Sequence, residues 1–108
     1  NGRSDNCWRD WYSTQPLVWD FYRNATQQPD QLRQRVAWAL SQIMVISQNS
    51  ALVNYPYALA DYYDMLARDA FGNFRTLLEQ VSTSTAMGSY LTFRGNRKAQ
   101  NGSLPDEN

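Results

Sequence analysis

At 108 residues, with ten basic and ten acidic side chains, the chain holds one domain at most and carries no net charge. That balance argues against a dedicated nucleic-acid binder, whose surface needs a basic surplus, and the longest apolar run, Ile43-Met44-Val45-Ile46, falls far short of the roughly 18 residues of a membrane span. The segment has no histidine and a single cysteine, Cys7, so it offers no Ser-His-Asp or Cys-His arrangement, no His-ligated zinc or haem and no internal disulfide.

The polar opening Asn1-Gly2-Arg3-Ser4-Asp5 lacks the apolar segment of a secretory signal, and a start without Met points to processing or to excision from a longer chain. Cys7 reads as a small buried apolar group. Trp8, Trp11 and Tyr12 follow the i, i+3, i+4 spacing of a helix face, Pro16 interrupts it, and Val18, Phe21 and Tyr22 repeat it from Leu17 to about Ala25. With Trp19, this aromatic belt reads as core rather than as a sugar-stacking platform, because aromatic rings bring large apolar area to a small domain. Pro29 and Asp30 then mark a break and an N-cap.

The spacing predicts a helix from Asp30 to about Ser47. Leu32, Val36, Ala39, Leu40, Ile43 and Ile46 form one face, and Trp38 and Val45 a second strip. Apolar strips on two sides predict the central helix. Asn54 is placed to cap the next helix, with Pro56 in its first turn. That helix carries Leu59, Tyr62, Tyr63, Leu66 and Ala70 and is expected to end at Gly72 as a left-handed cap. Asn73 caps a further helix on which Phe74, Leu77, Leu78 and Val81 keep a clean helical period. Ser82-Thr83-Ser84 breaks it. A last helix, about Thr85 to Phe93, turns Met87, Tyr90 and Leu91 inward and ends at Gly95. Alternating strand patterns are absent, so the fold class is all-α: an irregular bundle of about five helices with a polar C-terminal loop. Residues 1–29 form a Trp-rich helical segment, 30–94 the helical core and 95–108 the loop. Asn24-Ala25-Thr26 and Asn101-Gly102-Ser103 match the glycosylation sequon, relevant only in a eukaryotic secretory host.

Candidate chemistry gathers in two places. Arg33 and Arg35 stand in the first two turns of the predicted central helix, where cations oppose the helix dipole. The structural reading is an Asp30–Arg33 pair with a solvated or bundle-facing Arg35; the functional reading has one arginine organising carboxylates of the tail. The tail supplies Asp106 and Glu107, with the amides of Asn96 and Asn108. These are hard oxygen ligands suited to Ca²⁺ or Mg²⁺, without the spacing of an EF-hand. Asp106, Glu107 and Lys98 are candidates for acid–base work. Lys98 with Arg94 and Arg97 makes a basic cluster able to take an anion or to pair with the tail acids, and no phosphate-cradling glycine loop accompanies it. Alternatively Pro105-Asp106-Glu107 opens a further helix, its acids favouring the positive end.

Three stretches, taken together, resemble the bacterial "domain of unknown function 1800" family: the run Asp30 to Ile43; Tyr57 to Leu66 with Ala70 to Arg75; and Ala86 to Leu91 with Gly95-Asn96-Arg97-Lys98-Ala99 and Pro105-Asp106-Glu107-Asn108. Residues 1–29 match more loosely. The resemblance implies a mostly helical, exported bacterial protein of several hundred residues, periplasmic, on the cell surface or outside the cell. It implies that this chain is an internal fragment, continued by a helix beginning Tyr-Ala-Arg-Glu. The partners it implies are a second exported protein encoded nearby and the remainder of its own chain. No cofactor is evident. Two functions follow as expectations. The first is a non-catalytic structural or partner-binding module. The second is part of a hydrolase-like site acting on a glycan or envelope polymer, where Arg33, Asn96, Lys98, Asp106, Glu107 and Asn108 would converge.

Overall fold

The computed structural model describes residues 15–48 and 55–107. The expectations for Cys7, Trp8, Trp11, Tyr12, Asn54 and Asn108 lie outside them. Among the described residues the chain is all-α: α1 (Gln15–Gln27), α2 (Gln31–Ile43), α3 (Pro56–Arg68), α4 (Phe74–Thr83) and α5 (Thr85–Tyr90), followed by a loop.

α1 begins two residues before the expected Leu17, because Pro16 falls in the first turn, where no intrahelical N–H is needed. No α1 side chain is fully buried, though Leu17 packs against the core. Trp19 is 73% exposed, and Phe21 and Tyr22 are exposed too. The core reading of these aromatics is therefore overturned. α1 meets α2 and α3 along a single flank, which leaves its aromatic side uncovered.

α2 stops at Ile43 rather than Ser47. Beyond it Met44 and Ile46 are buried while Val45 is exposed, the alternation of an extended segment. A β-branched pair favours that form, and the Met44 carbonyl accepts the Tyr62 hydroxyl at 2.7 Å. The inward face of α2 is also rotated from the expected one. Ala37 is buried and Arg33 and Leu40 are partly so, whereas Leu32 is 71% and Ile43 74% exposed. Asp30 stands at the N-cap without capping; its carboxylate accepts from the Gln34 side chain at 3.4 Å.

The hub of the bundle is α3, not α2. α3 touches each of the other four helices and buries Pro56, Leu59, Tyr62, Met65 and Leu66. Leu59, Tyr62 and Leu66 repeat at helical spacing and are the most deeply buried large side chains. Two apolar strips on α2 misled the placement, since exposure rather than burial accounts for one of them. Leu77 and Val81 of α4 and Ala86 of α5 close the core from the other side. The Cα atoms span 16 Å along the shortest axis, about the thickness of two helix layers packed 8–10 Å apart.

Local caps follow the sequence closely in the second half. Asn73 accepts the Arg75 amide at 2.9 Å and starts α4. Ser84 ends α4 and starts α5, its hydroxyl accepting the Met87 amide at 3.2 Å. Two helix ends differ from expectation. α3 ends at Arg68. Gly72 is not left-handed but closes a tight turn on Asp69, its N–H donating to the Asp69 carbonyl at 2.9 Å. α5 ends at Tyr90, and the left-handed residue after its cap is Thr92, at φ 62°. Gly95, at φ 84°, instead shapes the turn in which the Asn96 amide donates to the Phe93 carbonyl at 3.0 Å.

Candidate functional site

The polar loop after α5 is exposed but folded on itself. Asn96 holds it shut. Its Oδ1 accepts from the backbone N–H groups of Arg97 and Asp106, each at 2.9 Å, and its Nδ2 donates to the Asp106 carbonyl at 2.8 Å. The Thr92 hydroxyl donates to the Asp106 carboxylate. Arg94 donates its N–H to the Gly88 carbonyl at 2.8 Å, which ties the loop to α5. Between these anchors lies a two-residue hairpin. Asn101 and Gly102 both take positive φ, 49° and 82°, and Gln100 and Ser103 exchange backbone hydrogen bonds. Asn-Gly is the dipeptide that such a turn favours.

The structure thus brings Asn96 and Asp106 together and adds Thr92, which the sequence pattern did not single out. The side chains of Lys98 and Glu107 make no hydrogen bond or ion pair among the described residues. Arg97 contributes its backbone N–H to the clasp. Among the described residues no three acidic or thiol side chains gather in one place.

Arg33 and Arg35 bond elsewhere. Arg33 Nη1 donates to the carbonyls of Ala67 and Arg68 at 2.9 and 3.0 Å. Its guanidinium lies 4.8 Å from the centre of the Phe71 ring. It therefore caps the C-terminal end of α3, where a cation meets the negative pole of the dipole. Arg35 Nη2 reaches the Ala25 carbonyl near the end of α1 at 3.5 Å. Gln31 takes the neighbouring Asn24 and Gln28 carbonyls at 3.0 and 2.7 Å.

A second feature is a cleft of about 210 Å³ between α3, α4 and α5. Tyr62, Met65 and Ala86 line it with apolar surface; Asp61 and Arg68 bring its charges, Gln80 an amide, and Thr83, Ser84 and Thr85 hydroxyls. Arg68 Nη2 donates to Gln80 Oε1 at 2.9 Å and lies 3.8 Å from Asp69 Oδ2. That carboxylate oxygen is buried without a hydrogen bond. Burial, and secondarily the neighbouring Tyr63, pushes the Tyr62 hydroxyl from 10.0 up to about 12; burial also raises Tyr63. No described residue of the polar loop lines this cleft. Sequence reasoning did not single out Asp61 and Arg68, although seven residues apart on one helix they return to the same face.

The family model described as protein of unknown function (DUF1800) matches residues 6–108. Neither the curated proteins nor the solved structures give a match.

Proposed function

Since the chain belongs to the DUF1800 family, we propose that it serves there as a non-catalytic helical module that binds a protein partner, in the envelope of an exporting bacterium or outside the cell. The observation that carries this reading is the apolar surface left open on a thin bundle. Trp19 and Tyr22 on α1, Leu32 and Ile43 on α2, Tyr57 on α3 and Phe74 on α4 are all more than half exposed. Six large apolar side chains left more than half exposed on four helices of one small chain support a reading in which other protein covers part of this surface. The remainder of the same chain and a separate exported protein are both suitable occupants. A hydrolase-like site would instead need Lys98, Asp106 and Glu107 to converge; among the described residues the clasp ties Asp106, and neither of the other two, to Asn96 and Thr92.

The test places a photoreactive residue at position 19, 43 or 57 of the full-length protein in its native cell. Positions 64 and 79, exposed but polar, serve as controls. Cross-links concentrated at the apolar positions, mapping to one defined protein surface, are expected. Equal cross-linking at the polar controls removes the reading. Release of soluble fragments from an envelope glycan by the purified full-length protein, abolished by Glu107→Gln, would replace it with the hydrolase.

A further inference from the structure

We propose that the cleft between α3, α4 and α5 binds a small zwitterion of dipeptide size, its ammonium at Asp61 and its carboxylate at Arg68. The inference does not depend on the partner-binding reading, because it uses a different surface and a different ligand.

The two charges line one cleft but do not neutralise each other. Arg68 pairs with Asp69, and the Asp61 side chain has no hydrogen bond or ion pair among the described residues. Arg68 is nevertheless held in place. Gln80 Oε1 and Asp69 Oδ2 both approach Nη2, so the Nη1 and Nε donors of the five-donor fork remain available. A guanidinium fixed at one edge and open along another suits a carboxylate, which takes two parallel N–H bonds. Asp61, seven residues earlier on the same helix, lies about 10 Å away along the axis. An α-amino acid carries both charges on one carbon and cannot span that gap. A dipeptide adds about 3.5 Å of extended chain between its ends, and in the proposed complex the lengths of the two side chains cover the remainder. Tyr62, Met65 and Ala86 supply an apolar floor for short aliphatic side chains. The cleft, about 210 Å³, is smaller than the roughly 300–1,000 Å³ of pockets for drug-sized ligands, which again selects a short ligand.

Titration calorimetry of the full-length protein with alanyl-alanine, its N-acetyl form, its C-terminal amide and free alanine tests this. The unblocked dipeptide is expected to bind, and each blocked form to bind at least about tenfold more weakly, as loss of a charge-assisted pair requires. Asp61→Asn should erase the preference for the free amine while keeping the preference for the carboxylate. Arg68→Met should do the reverse. Should Arg68→Met fail to fold, Asp61→Asn with the acetylated dipeptide still decides. No binding of the dipeptide at about 10 mM, a concentration at which even millimolar affinity saturates, overturns the proposal. So does equal binding of the blocked forms, or of free alanine.

Discussion

Tyr62→Phe isolates one bond at the centre of the bundle. The ring is 2% exposed, and phenylalanine keeps it, so the apolar burial survives. What disappears is the hydroxyl donation to the Met44 carbonyl at 2.7 Å. Met44 is itself buried, and its carbonyl lies just past the end of α2, with no helical partner. An acceptor left unsatisfied there costs about 1–3 kcal/mol. With a urea slope of about 1–3 kcal/mol per M for a small domain, the midpoint should fall by about 1 M. The same substitution tests the alkaline limb. In the unfolded chain the hydroxyl ionises near 10.0, and in the fold only near about 12. Between those values the unfolded state releases its proton first, so the stability held by the neutral hydroxyl is intact below pH 10.0 and is lost as pH rises through about 12. Two units correspond to about 2–3 kcal/mol. The wild-type chain should lose that much across the window, and the variant should lose less, keeping the smaller effect of Tyr63 in the same direction. A urea midpoint lowered by under about 0.2 M at neutral pH, or an alkaline loss unchanged in the variant, would refute the assignment.

Leu66→Ala empties a fully buried site on α3 and should cost about 2–5 kcal/mol in urea unfolding. Arg33→Gln removes the cation from the end of α3 and from the Phe71 face. It should cost about 1–2 kcal/mol, with Arg33→Lys recovering part of it. Asn96→Ala breaks three hydrogen bonds in the loop but none in the helices. Amide hydrogen exchange should therefore lose protection at Arg97 and Asp106 while the protected amides of α3 stay unchanged.

The legible parts of the fold are those encoded within a few residues. Asn73 and Ser84 announce their caps because the bond each makes closes over two or three positions. Leu77 and Val81 announce their face because both point at α3. The burial of α2 is not legible in this way. Leu32 and Ile43, both exposed, belong to as good a stripe as Ala37 and Leu40, and packing against α3 decides which one turns inward. The aromatics of α1 fail for a related reason. An aromatic side chain left exposed, as Trp19 is, and one buried in this core have the same chemistry, so the pattern cannot separate them. In the loop, Asn101-Gly102 was a readable hairpin signal that the absence of flanking alternation obscured. Thr92 gave none, because a β-branched residue in the left-handed region runs against its own preference.

Arg33 and Arg35 show how a local misfit in sequence reports a long-range contact. Near the start of α2 each cation opposes the dipole of its own helix, at a cost of about 0.3–1 kcal/mol. Neither turns to the tail acids to offset it. Arg33 meets the carbonyls that end α3, 34 and 35 residues away, and Arg35 approaches a carbonyl near the end of α1. Each arginine therefore sits at the wrong end of one helix and the right end of another. Because the carbonyls it meets lack intrahelical partners, the second interaction includes hydrogen bonds as well as charge–dipole attraction and outweighs the first. The beginning of α2 is thereby fastened to the ends of α1 and α3, which fixes how far α2 can slide along the hub. The two arginines that looked like parts of a polar centre thus tie helix ends together around the hub.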